Sequence, residues 1–406
     1  MLFQAEKLFL YVYMWVFKQV TRLLPFRWPQ TFEGPGSSKA LLEHCHQLGH
    51  RQVLIVTDQS LVDLGLLQPI YQTLTALQIQ HSTYAGIAPD PTQEQIEAGF
   101  TQLQTTQATA LLAIGGGSVI DGAKMIGALA KNNKPLAKMT GLFKVRKGIL
   151  PLFAIPTTAG TGSEATIAAV VSDTQAKRKL AVLDPKLMPT AAALDAQLML
   201  GLPPAITAAT GMDALTHAIE SYLSRNSTAH TDTCALQCAR TVLTYLPIAY
   251  SQGDNLEARQ HMAKASMLGG MAFTQAGVGY IHAIAHNLGA LYHVPHGLAN
   301  AMVMPHVLRF TLAGGGRGER RMAALARHCQ LSESNDNALA AAALIERIEA
   351  LNQAFRIPKH PAELQEKDIP AIAQAARSEA RFTYAVPRYL NQSMAVQLLL
   401  QIKGRH

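Results

Sequence analysis

No apolar run in this chain of 406 residues reaches the roughly 20 residues that a membrane-spanning helix requires. Clusters of basic residues are missing too. The net charge is +8, yet Lys and Arg are scattered, and the densest run is KRK at 177–179. That is too short a stripe to follow a phosphate backbone, which excludes nucleic acid as a partner. Low-complexity tracts and short repeats are absent, so the composition is globular and the length suffices for two domains. Cysteine is scarce: Cys45, Cys234, Cys238 and Cys329 form no C-x-x-C pair, and Cys234 and Cys238 read as buried core thiols. Nothing calls for an oxidising compartment, and the cytoplasm is the default location. The G-x-G-x-x-G fingerprint is absent as well, so a standard Rossmann assignment has no support.

What the sequence does have begins at its start. LFLYVYMWVF (Leu8 to Phe17) is a ten-residue apolar run, and both tryptophans, Trp15 and Trp28, lie in or near it. No small-residue cleavage site follows, and Glu6 sits where a secretory leader would be basic. With Lys18, Arg22 and Arg27 beside the aromatic residues, the segment suits an interfacial membrane helix. A helix docked on the protein's own body or on a second subunit fits it equally. Residues 1–28 are therefore set apart as an aromatic and basic extension.

From about residue 50, short apolar strands alternate with helical stretches. VLIVTD (Val53 to Asp58), IQHSTYAGI (Ile79 to Ile87), ALLAIGGGSVIDGAK (Ala110 to Lys124) and LPLFAIPTTAGTGSE (Leu150 to Glu164) carry the strand signals. The alternation predicts βαβ units with a mostly parallel sheet over residues 29–201. Ligands bind beyond the carboxyl ends of such strands, which is where Gly115, Gly116 and Gly117 stand. Glycines there let the backbone approach a pyrophosphate, and the helix that follows offers free N–H groups. The bland alternative for GGGS is a flexible turn. Asp58 closes the first strand, where it could accept from a ribose diol and repel a 2′-phosphate, favouring NAD over NADP, or simply be a solvated turn residue. Thr157, Thr158, Thr161 and Ser163 gather hydroxyls at another strand end, suited to a phosphate, a ribose or a helix cap.

After Leu202 the strand signals fade, and helical periodicity predicts an all-α second domain over 202–406. GMDALTHAIE (Gly211 to Glu220) places Asp213 and His217 four residues apart, on one helical face with Cβ atoms roughly 5–6 Å apart. Such a pair is either a helix-surface hydrogen bond or half of a metal site. YIHAIAHNLGALYHVPHGLAN then adds His282, His286, His293 and His296 on an apolar background. One carboxylate with two or three imidazoles suits a divalent transition metal such as Fe²⁺ or Zn²⁺. Spacing alone leaves open which histidines would coordinate it.

GGGSVID at 115–121, PTTAGTGSE at 156–164, GMDALTHAIE at 211–220 and IHAIAHNLGALYHVPHGLANA at 281–301 occur in one order. In this the chain resembles the group III, iron-containing alcohol dehydrogenases, from about residue 30 to the C-terminus. The resemblance implies an α/β dinucleotide-binding domain followed by a helical metal-binding domain. It implies Asp213, His217, His282 and His296 as metal ligands for Fe²⁺, with Zn²⁺ the alternative. His286 is left as the non-ligand histidine, a proton relay or a packing residue. NAD would lie against Asp58, Gly115 to Ser118, Asp121, Thr157, Thr158, Thr166 and Lys179. Phe273 would line the substrate channel together with position 168. Ala168 there replaces the polar amide of some diol-acting relatives, tilting the substrate towards simple alcohols with apolar tails.

The implied activity is reversible oxidation of a primary or small secondary alcohol to an aldehyde or ketone, in a homodimer or larger homo-oligomer. Two rivals share the two-domain plan: a glycerol-dehydrogenase-like or dehydroquinate-synthase-like enzyme, and a non-catalytic nucleotide- or membrane-binding relative. The wording of GMDALTHAIE and PHGLANA favours the alcohol dehydrogenase branch.

Overall fold

The computed structural model describes residues 2–21, 26–174 and 178–404; Arg22, and Lys177 of the KRK run, lie outside them. The chain divides into two compact units. One comprises Pro25–Leu202 with Gly253–Gly270, the other Met1–Leu24, Pro203–Gln252 and Met271–His406.

The first unit is built on β1 (Gln30–Glu33), β2 (Gln52–Val56), β3 (Gln80–Tyr84), β4 (Ala110–Gly115), β5 (Gly141–Leu142), β6 (Leu152–Pro156), β7 (Ala168–Asp173), β8 (Arg178–Leu183) and β9 (Ala191–Leu194). Six of them form one sheet in the order β1-β9-β6-β4-β2-β3, with every neighbouring pair parallel. A second sheet pairs β7 antiparallel with β8, and β8 with β5. The four strands anticipated from the sequence are β2, β3, β4 and β6.

The parallel sheet is buried on both faces because alternate side chains feed two separate cores. Leu54, Val56, Leu111, Ala113, Leu152 and Ala154 point into one core, with the Gly117–Asn132 helix and with Val171 and Val182 of the small sheet. Val53, Ile55, Leu112, Ile114, Phe153 and Ile155 point into the other, with the helices Ser37–Gln47 and Gln68–Ala76. The chain moves from β2 outward to β3, then returns to the opposite side of β2 for β4. The strand order thus reverses between β2 and β4, the place where sheets of this kind receive ligands.

In the helical unit, Pro204–Leu223, Ala229–Ser251, Tyr280–Tyr292 and His296–Leu312 matter most for the site. The helix Leu256–Ala276 is shared: up to Gly270 it clusters with the sheet unit. There the Gly162 amide donates to Ser266 Oγ at 3.1 Å, and Gln260 Nε2 to the Leu194 carbonyl at 2.9 Å. The sequence reading gave this stretch to the helical domain. Helical periodicity reveals an apolar face but not the body against which that face packs.

The N-terminal segment is a helix, Leu2–Thr21, that docks on the helical unit. Leu10 and Met14, one turn apart, are buried. Lys18 Nζ donates to the carbonyls of Arg225 (3.2 Å) and Ser227 (2.5 Å), and the Arg225 guanidinium lies 3.8 Å over the Tyr11 ring. Among the described residues no helix is long and apolar enough to cross a membrane.

Candidate metal centre and nucleotide loops

The Pro204–Leu223 helix starts with proline in its first turn, where the missing N–H costs nothing, and from Gly211 onward all of its residues are buried. Two glycines set its surroundings. A Cβ on Gly211 would lie 2.3 Å from Leu246 Cδ1, so glycine allows the Ala229–Ser251 helix to pack closely. A Cβ on Gly297 would lie 2.2 Å from the Ala209 carbonyl oxygen, so only glycine lets the start of the His296–Leu312 helix press against this one. That contact is what brings His296 to Asp213.

Three imidazole nitrogens surround one carboxylate oxygen. Asp213 Oδ1 lies 3.9 Å from His217 Nε2, 3.8 Å from His282 Nε2 and 3.5 Å from His296 Nε2. Asp213, His217 and His282 are buried and offer ligand atoms within 4.8 Å of one another, while His296 is half-buried at the edge. The imidazole spacings exceed an ordinary hydrogen bond, leaving room for a shared partner between the lone pairs. The Asn300 carboxamide nitrogen approaches that space, donating to Asp213 Oδ1 at 2.7 Å and lying 3.3 and 3.2 Å from Nε2 of His282 and His296. Acceptors aimed at a common centre are the donor set of a divalent cation, and these residues fit one. Burial, then the neighbouring imidazoles of His217, His296 and His286, hold His282 well below the usual histidine range, so it is neutral and its lone pair is available. His293 plays no part: it is exposed and ends the Tyr280–Tyr292 helix in a left-handed conformation.

Two carboxylates that the sequence reading left without a role orient these rings. Glu220 accepts from His282 Nδ1 at 2.6 Å and from the Ile281 amide at 2.8 Å. Burial pushes its carboxyl up to about 8 against the pull of those amides. A Cβ on Gly279 would meet Glu220 Oε1 at 2.7 Å, so that glycine makes room for the contact. Glu379 takes the Nδ1 side of His286 at 2.7 Å and also accepts from the Tyr384 hydroxyl at 2.6 Å. The His286 ring stacks on His296 with centroids 5.3 Å apart. Phe273 stacks on His217 at 4.3 Å, an apolar surface directly beside a candidate ligand. Glu220 lies inside GMDALTHAIE and its position was a signal; Glu379, 93 residues from its histidine, had none.

In the sheet unit, Gly115 of β4 pairs in register with Pro156 of β6, and Thr57 Oγ1 donates to the Ile114 carbonyl at 2.8 Å. Asp58, the GGGS turn and the Thr/Gly loop therefore leave adjacent strands at one end of the sheet. Gly116 and Gly117 carry a packing reason as well as the anticipated one: Cβ atoms there would lie 3.3 Å from Thr158 Oγ1 and 2.5 Å from Thr161 Cγ2. The Gly117–Asn132 helix begins without a side-chain cap, which suits its first turn to an anion. Asp58 caps the Gln59–Asp63 helix, accepting from the Leu61 amide at 3.0 Å. Asp90, missed in the sequence, ties Lys179 Nζ at 2.7 Å, and its amide donates to Ser118 Oγ.

Asp121 is half-buried and Thr166 is buried. Asp121 accepts from Ser163 Oγ (2.5 Å) and the Val170 amide (2.9 Å), and burial raises its carboxyl. The buried Thr166 hydroxyl accepts from Lys124 Nζ at 2.9 Å, as the Ala168 carbonyl does at 2.7 Å. Thr157 is buried too, its amide bonded to the Gly115 carbonyl.

Residues 29–196 match the iron-containing alcohol dehydrogenase family, and residues 207–402 match the C-terminal part of the Fe-containing alcohol dehydrogenase family. The NAD-dependent methanol dehydrogenase of Bacillus methanolicus is 38% identical over 354 residues, covering 86% of this chain and 91% of that one. The lactaldehyde reductase of Escherichia coli K12 is 38% identical over 347 residues, covering 84% and 90%. Among solved structures, a 1,3-propanediol oxidoreductase superposes with a TM-score of 0.88 at 34% identity, covering 93% of this chain and all of that one. An alcohol dehydrogenase from Oenococcus oeni gives 0.89 at 31% identity, covering 93% and 99%.

Proposed function

Since the chain belongs to the iron-containing alcohol dehydrogenase family, we propose that it oxidises a primary or small secondary alcohol reversibly to the aldehyde or ketone, with NAD as hydride acceptor and Fe²⁺ at the metal site. The chain is an alcohol dehydrogenase. The observation that carries the fuller reading is the gathering of three imidazole Nε2 atoms around Asp213 Oδ1. One carboxylate with three imidazoles suits Fe²⁺ and equally accepts Zn²⁺. A metal held there supplies Lewis acidity to the substrate oxygen, and NAD supplies the hydride acceptor.

The chain's own residues do the rest. Asp213 contributes a carboxylate oxygen, His217, His282 and His296 contribute imidazole nitrogens, and Glu220 fixes the His282 ring from behind. Phe273 offers an apolar wall beside His217, which supports alcohols with short apolar tails. With Nδ1 held by Glu379, His286 keeps Nε2 as its remaining proton site, and we assign it the transfer of the alcohol proton towards solvent. Asp58, just past the end of β2 and bridged to Gly86 beyond β3, favours NAD because a carboxylate repels a 2′-phosphate. A reducing compartment suits the thiols: none of the four cysteines is in a disulfide, and burial pushes Cys45 up to about 12 and Cys329 to about 11.

The test is metal analysis of the purified chain together with a panel of alcohols and aldehydes, each assayed with NAD and NADP. NADH formed from simple primary alcohols, in proportion to bound iron, is the expected outcome; iron-loaded protein that turns over no alcohol would overturn it. For His286, alanine substitution should leave metal bound while slowing turnover and moving its pH profile. An unmoved profile would return His286 to a packing role.

A further inference from the structure

The N-terminal helix is buried along one side only. At 3.6 residues per turn, Ala5, Leu8, Phe9, Val12, Trp15 and Val16 fall on a single stripe, opposite the buried Leu10 and Met14. Its five large members are between 47% and 65% exposed. No charged residue lies on the stripe. Charges stand at its borders instead. Lys7 and Lys18, eleven residues or three turns apart, lie along one edge; Glu6 lies beyond the other, ion-paired with Arg381 at 2.9 Å. Arg225, over the Tyr11 ring, adds a further cation. Lys7, Lys18, Arg225 and Arg381 thus border the stripe against the single acid Glu6. Phe382, 42% exposed and packed edge-on to Tyr13, extends the apolar surface onto the body.

We propose that this stripe seats the protein on the surface of an anionic lipid bilayer. Charge selects the occupant. In a two-fold contact between copies an isologous patch meets itself, so this cationic border would face its own image, in a chain of net charge +8. Anionic headgroups complement the same border. Shape agrees with that choice. Leu10 and Met14 anchor the helix to the body, so only the outward side chains can enter the lipid, to the shallow depth of an interfacial helix. Val12 stands at the centre of the stripe and Trp15 at its border on the Lys18 side, where a ring that is apolar with one N–H suits the headgroup boundary. The inference is independent of the proposed reaction, since it uses none of the residues assigned to metal, nucleotide or substrate.

The test is co-sedimentation of the full chain with vesicles of phosphatidylcholine, with and without phosphatidylglycerol. Binding should be at least about tenfold tighter to the anionic vesicles and should weaken with salt. Val12→Glu combined with Trp15→Glu should reduce it by about 100-fold or more while leaving the melting transition in place, because both side chains are exposed. In a Trp28→Phe background Trp15 is the sole tryptophan, and its emission should shift to the blue on anionic vesicles. Wild-type protein that stays in the supernatant would overturn the proposal, as would an unmoved Trp15 emission. A double variant that falls to a smaller assembly in light scattering would also overturn it, and would make the stripe a contact between copies.

Discussion

Each unit buries a polar cluster, and the two clusters are built in opposite ways. In the sheet unit the cation is part of the chain. Lys124, fully buried, donates to Ser163 Oγ (3.0 Å), to the Thr166 carbonyl (3.1 Å) and hydroxyl (2.9 Å) and to the Ala168 carbonyl (2.7 Å), with Asp121 Oδ1 at 3.8 Å. In the helical unit the acceptors are equally well gathered, but the group reaching among them is the neutral Asn300 amide. A buried set of lone pairs needs hydrogen-bond donors or a cation. Lys124 meets that need from within and makes a structural knot that joins helix, loop and small sheet. Around Asp213 the donor that the chain supplies is a neutral amide, in keeping with the metal proposed there, and that is the contrast between a scaffold and a proposed reactive centre.

The comparison breaks most decisively at the two central charges. Asp213→Ala should release the metal and lower turnover by about 10²–10³-fold or more, the scale of losing a preorganised electrostatic group, while the chain still folds. Elemental analysis beside NADH production checks this, and a metal-free variant with full activity would remove Asp213 from the site. Lys124→Met should act the other way round. It strands a ring of buried acceptors and should cost about 3–5 kcal/mol of stability, read as a lower denaturant midpoint. The fraction that remains folded should still bind metal; lost metal with unchanged stability would reverse the roles given to the two clusters. Smaller, and confined to the helical unit, is Glu220→Gln. Weakened orientation of His282 should loosen the metal by about 10–100-fold in chelator competition, and unchanged affinity would make the contact incidental.

Of the proposed metal cluster, only the pairing of Asp213 with His217 on one helical face follows from spacing. His282 and His296 are singled out from the other histidines by the family resemblance, and their approach to Asp213 is a matter of packing between helices. The central strands were readable, being short, apolar and bounded by turns. β1 and β9 were not. Ala191–Leu194 is a run of alanines without β-branching, and Gln30–Glu33 is largely polar, so both are strands only because the growing sheet accepts them. Glu379 reached His286, and Asp90 reached Lys179, by folds of the chain that no spacing rule encodes. Asp121 and Thr166 were placed by a motif, but their bonds to Ser163 and Lys124 come from packing that no spacing rule encodes.

The subtlest prediction concerns Glu164, within the reach of Lys124. It is fully buried, its Oε1 has no hydrogen-bond partner, and burial raises its carboxyl from 4.5 to about 7. Lys124 is lowered from 10.5 to about 8, again by burial first. Between 4.5 and about 7 the folded chain holds a proton on Glu164 that the unfolded chain has released. Stability from this group is therefore complete in acid and is lost as pH rises through that window, by at most about 1.4 kcal/mol per pH unit. Lys124 has the opposite sign. From about 8 to 10.5 the unfolded chain binds the extra proton, so stability recovers as pH rises. Together they place a minimum between the two windows. Glu164→Gln carries no titrating proton and should abolish the acid-side fall while keeping the alkaline recovery. Urea midpoints of both proteins across the range check this. Parallel curves would show that the Glu164 proton is not linked to folding, and that the Lys124 knot is held by its hydroxyls and carbonyls alone.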